Sequence, residues 1–325
     1  MNLPPALVLT AGLGTRLRPL TYTRAKAAVP VNGETLARRA IRWLASQGIT
    51  DLVLNVHHLP ASVAASVGDG SDLGARVRYS WENPVLGSAG GPRHALPLLT
   101  DSNREPNREP RTANRGTFFI INGDTLTDVD VREVLSAHHH SGAAVTMALI
   151  PNPRPDKYGG VLVSDDGCVT GFVRAGSPLP SLHFIGVQVA EASVFAPLED
   201  GVPSESVNQL YPRLIETDPR SVGAFVCNAS FRDIGTPADY LDTSLRLAAT
   251  EGDRMVSARG TRIHETARIT RSAVWDDVTI GSGVQLTECI VGDGVSIPAG
   301  AAYHRVAILR RPGTRGDELT VRSID

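Results

Sequence analysis

Strand-like and helix-like hydrophobic patterns alternate over the first 150 residues, and no other feature constrains the fold of this chain as strongly. The strand patterns cover residues 6–10, 51–56, 76–81, 117–121 and 143–150. The helix patterns cover residues 36–44, 88–99 and 129–140. Strands that alternate with helices form βαβ units, so the sequence predicts an α/β fold with a mostly parallel sheet.

A second pattern occupies the C-terminal part of the chain. Apolar residues recur there every five or six positions, with glycines between them, at Ile269, Val274, Ile280, Leu286, Val291 and Ile297. This spacing is too long for one face of a strand and lacks helical periodicity. It therefore favours short β rungs stacked as a solenoid, with a few ordinary hairpins as the alternative.

These patterns divide the chain into parts. We assign a first domain to residues 1–248, a linker to 249–262, a β-helix to 263–310 and a tail to 311–325. The tetrapeptide Asn-Arg-Glu-Pro occurs twice in succession within residues 103–110. This polar stretch cannot bury a core face, so we predict a surface insertion at about residues 100–116.

Composition limits the classes of partner. With 42% hydrophobic and 20% charged residues the chain is typical of a globular protein, and its net charge of −2 gives no indication of a nucleic-acid or membrane partner. No apolar stretch is long enough to span a membrane, and the N terminus lacks the basic start of a signal peptide, so we expect a cytoplasmic location. The cysteines Cys168, Cys227 and Cys289 lack metal-ligand spacing and are expected to be reduced.

A glycine loop directly follows the first predicted strand. The loop reads Ala11-Gly12-Leu13-Gly14-Thr15-Arg16, and Lys26 lies ten residues further on. Loop amides form a cradle for anions, and a guanidinium and an ammonium add positive charge, so the segment indicates nucleotide phosphate chemistry. Leu17 stands where a dinucleotide fingerprint needs its third glycine, and Thr15-Arg16 excludes a Walker loop. A tight surface turn is the alternative interpretation.

Two aspartates are candidate metal ligands. Asp124 follows the predicted strand at 117–121, and the carboxyl ends of parallel strands are where open α/β sheets bind ligands. Asp233 precedes a predicted helix that begins at Pro237 with Thr236 as its N-cap. Paired carboxylates beside a triphosphate suit Mg²⁺. For both aspartates, a role in turn formation or helix capping is the alternative.

The segment from Trp81 to Gly91 joins a strand to a helix and is rich in small residues. Small side chains at Gly87 and Ser88 would let a flat base lie against the backbone, and Glu82 would accept hydrogen bonds from ring N–H groups. A capped helix start with glycines for packing is the alternative. The run of histidines at 138–140 lacks carboxylate or cysteine partners at ligand spacing, so we do not assign it a metal.

Together these segments resemble the sugar-phosphate nucleotidylyltransferases. The family's opening signature appears as Gly12-Leu13-Gly14-Thr15-Arg16-Leu17, Pro19-Leu20-Thr21, Ala25-Lys26 and Pro30-Val31. Its later signatures appear as Leu86-Gly87-Ser88-Ala89-Gly90, Gly123-Asp124 and Asp233-Ile234-Gly235-Thr236-Pro237. The match covers about residues 5–245. It implies a Rossmann-like, mostly parallel mixed sheet flanked by helices, followed by a short left-handed β-helix.

The resemblance also implies a reaction, the Mg²⁺-dependent transfer of a nucleotidyl group from a nucleoside triphosphate to a sugar 1-phosphate. Arg16 and Lys26 would be catalytic, and Asp124 and Asp233 would hold Mg²⁺. The implied nucleotide-binding residues are Ala11, Gly12, Leu13, Gly14, Thr15, Arg16, Glu82, Gly87 and Ser88. The implied sugar-phosphate contacts are Gly159, in a matching Tyr-Gly segment, and Arg174.

Two segments depart from the family pattern. Arg174 lies where the family has Glu-Lys-Pro, and Phe184-Ile185-Gly186 replaces Asn-x-Gly. Both changes resemble a branch that includes N-acetylmuramate 1-phosphate uridylyltransferase and some mannose- or heptose-1-phosphate guanylyltransferases. We expect GTP with mannose 1-phosphate or a related heptose. A uridylyltransferase for N-acetylmuramate or another hexose 1-phosphate is the alternative.

A rival from another class is a regulatory subunit that binds sugar nucleotides without turning them over. Such a subunit is expected to have lost Lys26 or one of the two aspartates, and this chain keeps all three. The short solenoid is expected to join copies of the chain into a homo-oligomer.

Overall fold

The computed structural model describes residues 3–100, 116–310 and 318–324, so the predicted insertion lies almost wholly outside the described residues. The helices are α1 (Leu36–Ser46), α2 (Pro60–Val67), α3 (Gly87–Leu99), α4 (Val131–Ser141), α5 (Ala192–Phe195), α6 (Tyr211–Thr217) and α7 (Pro237–Glu251). Short 3₁₀ turns cover Thr15–Leu17, Leu20–Tyr22 and Lys26–Ala28.

The strands of the first 233 residues are β1 (Ala6–Leu9), β2 (Pro30–Val31), β3 (Glu34–Thr35), β4 (Asp51–Val56), β5 (Arg76–Trp81), β6 (Thr117–Asn122), β7 (Thr125–Thr127), β8 (Val145–Pro151), β9 (Gly160–Val163), β10 (Val169–Val173), β11 (Leu182–Glu191), β12 (Val222–Val226) and β13 (Phe231–Asp233). The remaining strands are β14 (Arg262–Ile263), β15 (Arg268–Thr270), β16 (Ala273–Val274), β17 (Thr279–Ile280), β18 (Gln285–Thr287), β19 (Ile290–Val291), β20 (Ser296–Ile297), β21 (Ala302–His304), β22 (Val306–Arg310) and β23 (Leu319–Ser323).

The chain forms two compact units. The first, which we call the sheet unit, comprises Met1–Gly12, Ala40–His57 and Val67–Phe231. The second, which we call the solenoid unit, comprises Leu13–Arg39, His58–Ser66 and Arg232–Asp325. This division differs from the one predicted along the chain, because three stretches of the first 248 residues, namely 13–39, 58–66 and 232–248, group with the C-terminal part.

The sheet unit is built on one mixed nine-stranded sheet. Its main order is β10-β9-β11-β6-β1-β4-β5, and β8 pairs with β11 and β12. The pairs β1–β4, β1–β6, β4–β5 and β8–β12 are parallel, whereas β11 runs antiparallel to its neighbours. The predicted mixed α/β sheet is confirmed.

Hydrophobic runs explain why these strands are central. Leu7, Phe118 and Ile120 are almost completely buried in one core cluster, together with Val145 and Tyr211. Runs of consecutive apolar residues suit strands that are covered on both faces. Helix α4 begins after Asp130, whose carboxylate accepts from the Arg132 amide at 2.8 Å and so caps the helix.

The C-terminal part of the solenoid unit consists of three parallel stacks of short strands. The stacks are β14-β17-β20, β15-β18-β21 and β16-β19-β22, and β23 adds to the last one in antiparallel orientation. Paired residues are 17 positions apart, as in Cys289 and Ser272, which a hydrogen bond joins. Each coil buries the recurring apolar residues in one core, which includes Val274, Ile280 and Leu286. The stacked rungs expected from the five- or six-residue spacing are therefore present.

Several local details differ from the expectations. The predicted tail at 311–325 contains β23, and the predicted linker contains Val256, which pairs with Val274. Helix α3 accommodates Pro92 and Pro97 within its length.

In the described ranges no helix is long and apolar enough to cross a membrane.

Candidate functional site

In the sheet unit, the side chain of Asn55 forms hydrogen bonds with the residues that follow β1 and β5. The Asn55 carboxamide oxygen accepts from the Thr10 amide at 2.6 Å and from the Ala11 amide at 3.3 Å. Its amide group donates to Glu82 Oε1 at 2.7 Å. The residues after β1 are therefore held in place by a buried side chain of β4. Gly12, which follows, is exposed, and a Cβ at this position would meet no atom within 4 Å.

The turn that carries Asp124 lies against the end of β1. The Gly123 amide donates to the Leu9 carbonyl at 3.0 Å. A Cβ on Gly123 would lie 2.7 Å from that carbonyl oxygen, closer than real side chains approach. Glycine is thus required for the turn to pack here, and it brings Asp124 next to the residues that lead into the glycine loop. This is the carboxyl edge of the parallel strands, as predicted.

Glu82 is turned into the protein. Its side chain is 1% exposed, with Oε1 accepting from Asn55 and Oε2 accepting from the Leu86 amide at 2.9 Å. Gly91 leaves room for the carboxylate, because a Cβ there would lie 2.6 Å from Oε1. The carboxylate therefore fixes the path from β5 to α3. The base contact expected for Glu82 stays a prediction, and this inward orientation does not favour it.

Gly87 and Ser88 meet a second segment at the start of α3. The Ser88 hydroxyl donates to Glu205 Oε2 at 2.6 Å and accepts from the Ser206 amide at 2.8 Å. A Cβ on Gly87 would lie 2.6 Å from the Ser204 carbonyl oxygen. A carboxylate near the first turn of a helix is stabilised by the helix dipole. These contacts give both residues a packing role, and their contact with a nucleotide stays a prediction.

The two expected sugar-side residues come together. A Cβ on Gly159 would lie 3.0 Å from the carbonyl oxygen of Val173, the residue before Arg174. The turn that follows Arg174 is attached to the same region, because the Gly176 amide donates to the Pro155 carbonyl at 2.8 Å. Arg174 is exposed. Arg174 thus follows directly on a residue that packs against Gly159, and the contact of either residue with a sugar phosphate stays a prediction.

His183 lies in an aromatic cluster near Gly159. Its ring centroid lies 4.6 Å from that of Tyr158 and 4.5 Å from that of Phe231. The imidazole is 9% exposed, and within the part of the chain that the structure describes neither ring nitrogen meets the geometry of a hydrogen bond. Burial lowers the pKa of His183 below its ordinary value of 6.5. Burial also lowers the pKa of His138, although Glu191 opposes that shift.

These shifts predict an acid-sensitive fold. Below about pH 6.5 the unfolded chain binds protons that the buried neutral imidazoles do not, so stability falls as the pH decreases toward their folded pKa values. We expect His183→Phe, which keeps the aromatic packing, to lose less stability between about pH 7.5 and about pH 5.5 than the parent chain. Urea unfolding at both pH values checks this. An equal loss in His183→Phe would show that His183 does not contribute.

In the solenoid unit, the glycine loop packs against Lys26. Gly14 has a φ of +60°, and the Thr21 hydroxyl donates to its carbonyl at 2.8 Å. A Cβ on Gly14 would lie 2.7 Å from Thr21 Cγ2 and 3.2 Å from Lys26 Cβ. Leu17 and Leu20 are fully buried and anchor the loop, while Arg16 is exposed. Gly14 of the glycine loop and Lys26 are therefore close neighbours in the folded chain.

Gly14→Ala is expected to destabilise the protein by at least about 2 kcal/mol. The substitution adds left-handed backbone strain to a clash with the packed Thr21 methyl group. Gly12→Ala is the matched control, because its Cβ enters open space and its φ is not positive. Urea denaturation of both variants measures the difference. Equal midpoints for the two would contradict the close packing around Gly14.

Arg16 and Asp233 meet around Gly235. A Cβ on this buried glycine would lie 2.9 Å from Asp233 Oδ2 and 3.3 Å from Arg16 Nη1. Glycine therefore leaves open a space that the guanidinium and the carboxylate both border. The following helix α7 begins as predicted, with the Thr236 hydroxyl accepting from the Asp239 amide at 3.1 Å. The solenoid unit thus presents Arg16, Lys26 and Asp233 on segments that are held by buried neighbours.

The donor groups suit Mg²⁺ better than a transition metal. Across residues 3–100, 116–310 and 318–324, no three His, Cys, Asp or Glu side chains group as a metal site. Mg²⁺ is usually bound by one or two carboxylates, with phosphate oxygens and water completing its shell. Asp124 in the sheet unit and Asp233 in the solenoid unit are each a carboxylate of that kind, and their binding of Mg²⁺ stays a prediction. His138, by contrast, pairs its ring nitrogens with Thr146 and Glu191, so its role is structural.

Two residues of this region, Asn55 and Glu205, were not predicted from the sequence. Asn55 was assigned only to a strand, although a polar residue within an otherwise apolar run is a signal for a buried hydrogen-bonding role. Glu205 carries no such signal, because its contact with Ser88 spans 117 positions along the chain.

Comparison with known proteins agrees with the fold and motifs. The family model described as nucleotidyl transferase matches residues 5–250, and the model described as GlmU-like, C-terminal hexapeptide matches residues 248–303. The hexapeptide match confirms the left-handed β-helix predicted for the solenoid. HddC from Yersinia pseudotuberculosis, solved with GMP-PN, superposes with a TM-score of 0.61 at 20% identity, over 75% of this chain and 100% of that one.

Relatives that match most of this chain carry related names. Mannose-1-phosphate guanylyltransferase of Mycobacterium tuberculosis is 27% identical over 92% of this chain and 83% of its own. UTP–glucose-1-phosphate uridylyltransferase of Synechocystis is 25% identical over 90% of this chain and 76% of its own. Because the first family model spans most of the chain, including every predicted site residue, the protein is an enzyme of the nucleotidyl transferase family.

Proposed function

We propose that this protein transfers a guanylyl group from GTP to mannose 1-phosphate or a related heptose 1-phosphate, giving a GDP-sugar and pyrophosphate. One arrangement carries the proposal: Gly14 packs against Lys26, and Arg16 and Asp233 meet around Gly235. These are the cations and the carboxylate that nucleotidyl transfer needs. The relatives named as mannose-1-phosphate guanylyltransferases support the choice of substrates.

The reaction needs no general base from the protein. The nucleophile is a phosphate oxygen of the sugar 1-phosphate, whose second pKa lies near about 6, so it is ionised at neutral pH. The protein's task is to bring two anions together and to stabilise charge during an in-line displacement at the α-phosphorus.

Each site residue has a part in this task. Arg16 and the amides of residues 11–15 bind the triphosphate and the departing pyrophosphate. Lys26 lowers the repulsion between the approaching phosphates. Asp124 and Asp233 would hold Mg²⁺, which neutralises charge on the phosphate oxygens. Arg174 and Gly159 meet the sugar phosphate.

A uridylyltransferase acting on N-acetylmuramate or another hexose 1-phosphate is the second candidate. The Synechocystis relative named as a UTP–glucose-1-phosphate uridylyltransferase favours it. Membership of an enzyme family gives no support to the regulatory subunit that was considered as a rival of another class.

One assay separates these candidates. Pyrophosphate release is measured from the purified protein over a grid of four nucleoside triphosphates and several sugar 1-phosphates, with Mg²⁺. The proposal predicts the highest kcat/KM for GTP with mannose 1-phosphate or a heptose 1-phosphate. A maximum with UTP selects the second candidate, and no release from any pair would contradict nucleotidyl transfer by this protein.

We also propose that copies of the chain associate through the solenoid. Ile263 at its first strand and Val321 at its last are 41% and 42% exposed, which suits a buried role in an assembly. Light scattering of the intact protein is expected to give a multiple of 34.5 kDa, and a mass of one chain would contradict this. A reaction that consumes a nucleoside triphosphate also fits the cytoplasmic location expected from the sequence.

A further inference from the structure

Arg24, two residues before Lys26, is bound to the solenoid. Its Nε donates to Asp293 Oδ2 at 2.6 Å, and its Nη2 donates to Asp293 Oδ1 at 2.7 Å and to Asp276 Oδ2 at 2.8 Å. The guanidinium also lies over the Trp275 ring, 5.4 Å from its centroid. The Arg24 side chain is 17% exposed, so this pairing is shielded from solvent.

The two aspartates belong to the same position of successive coils. They are 17 residues apart, the repeat of the solenoid, and the Asp276 amide donates to Asp293 Oδ1 at 3.2 Å. Successive strands of a sheet are about 4.8 Å apart, and like charges at that spacing repel each other. A bridging cation removes this repulsion. Arg24 provides this positive charge, although it lies 252 positions from Asp276 and 269 positions from Asp293 in the sequence.

A second connection holds the other side of Lys26. The Trp275 ring nitrogen donates to the Tyr240 hydroxyl at 2.9 Å, and that hydroxyl donates to the Pro30 carbonyl at 2.7 Å. Burial raises the pKa of Tyr240 to about 12, so the hydroxyl keeps its proton at neutral pH. The residues from Arg24 to Pro30 are therefore fixed at both ends by the first coils of the solenoid and by α7.

The turn between these two anchors is short and closely packed. Ala25 and Ala28 are buried, the Ala25 amide donates to Ser62 Oγ at 2.9 Å, and the Val29 amide donates to the Lys26 carbonyl at 3.2 Å. A displacement of Arg24 must therefore move the Lys26 backbone, because the turn has little freedom of its own.

We propose that Arg24 is a positioning residue that fixes Lys26 through the solenoid carboxylates Asp276 and Asp293, so that the solenoid takes part in catalysis within one chain. This inference rests on the proposed role of Lys26 in nucleotidyl transfer. It also gives the solenoid a task besides association of chains.

A second ion-pair stack in the solenoid provides a matched control. Glu288 accepts from Arg271 at 3.0 Å and from Arg305 at 2.8 Å, again at a spacing of 17 residues. These bonds join solenoid residues to one another and are separate from the Arg24 cluster, which consists of Arg24, Asp276 and Asp293. Arg305→Ala therefore removes the same kind of bond without touching the Lys26 turn.

The test is a double-mutant cycle in the full-length chain. Arg24→Ala is expected to lower kcat about 10- to 100-fold, as a misplaced catalytic group does, whereas Arg305→Ala keeps the parental kcat. In a Lys26→Ala background the same Arg24→Ala change is expected to cost less than about twofold, because its effect acts through Lys26. An equal loss in both backgrounds, as a general folding defect gives, would overturn the proposal, and so would a parental kcat for Arg24→Ala.

Hydrogen exchange tests the anchoring without any assay of activity. Amides of residues 20–31 are expected to exchange faster in Arg24→Ala than in the parent chain and in Arg305→Ala. Unchanged exchange would overturn the anchoring even if the parent chain lacked nucleotidyl transfer, so the two failures are distinguishable. Should Arg24→Ala not fold, Arg24→Lys and Asp293→Asn weaken the same bidentate pair more gently, and each is expected to give intermediate kcat and exchange. Parental values in both would overturn the proposal.

Discussion

Replacing Lys26 by alanine is expected to lower kcat by about 10²- to 10³-fold while the fold is retained. In the proposed reaction two polyanions approach each other, and the Lys26 ammonium reduces their repulsion at the point of displacement. The backbone around Lys26 is held by Gly14, Ser62 and the Arg24 cluster, so the loss of one side-chain charge leaves the turn in place. Steady-state kinetics with pyrophosphate detection gives the comparison.

Two companion variants separate charge from packing. Lys26→Met keeps the aliphatic stem but lacks the charge, so it is expected to be as slow as Lys26→Ala. Lys26→Arg keeps a positive charge in a different shape and is expected to recover part of the rate. A Lys26→Met variant with parental kcat would show that the positive charge is not what the reaction needs.

Replacing Asp233 by asparagine is the second change with a large expected effect. The variant keeps the shape of the side chain beside Gly235 but loses the negative charge that suits Mg²⁺. We expect kcat to fall by at least about 100-fold and the Mg²⁺ concentration needed for half-maximal rate to rise. Asp124→Asn is expected to act in the same direction.

The control for this prediction lies on the next helix. Asp242 is 61% exposed and pairs with Arg246 on the surface of α7, so Asp242→Asn is expected to keep the parental rate and Mg²⁺ dependence. EDTA is expected to stop turnover by the parent chain, and added Mg²⁺ to restore it. Full activity in EDTA would show that turnover does not need a metal ion. An unchanged Mg²⁺ dependence in Asp233→Asn would show that Asp233 does not bind it.

Local patterns were sufficient to predict most of the fold. Buried strands such as β6 are continuous apolar runs, and Thr236 was predicted as the N-cap of α7. The repeat of five or six residues predicted the solenoid because each rung contributes the same small set of buried positions. These features depend on neighbours a few residues apart.

The grouping of residues 13–39 with the solenoid could not be predicted from such patterns. It depends on ion pairs of Arg24 with Asp276 and Asp293, which are 252 and 269 positions away in the sequence. In the sequence alone, each of these residues looks like an ordinary charged surface residue. The orientation of Glu82 was equally hidden. The sequence indicates a carboxylate near a helix start, but the amide of Leu86 and the side chain of Asn55 decide that it points inward.

The most direct test of the proposed function follows the α-phosphate of the nucleotide. The purified protein is incubated with GTP labelled in its α-phosphate, mannose 1-phosphate and Mg²⁺, and the products are separated and counted. We predict that the label appears in a GDP-sugar in equal amount to the pyrophosphate released. Label found only in GTP, GDP or GMP, with no nucleotide sugar from GTP or from any other triphosphate tested in the same way, would contradict the proposed nucleotidyl transfer.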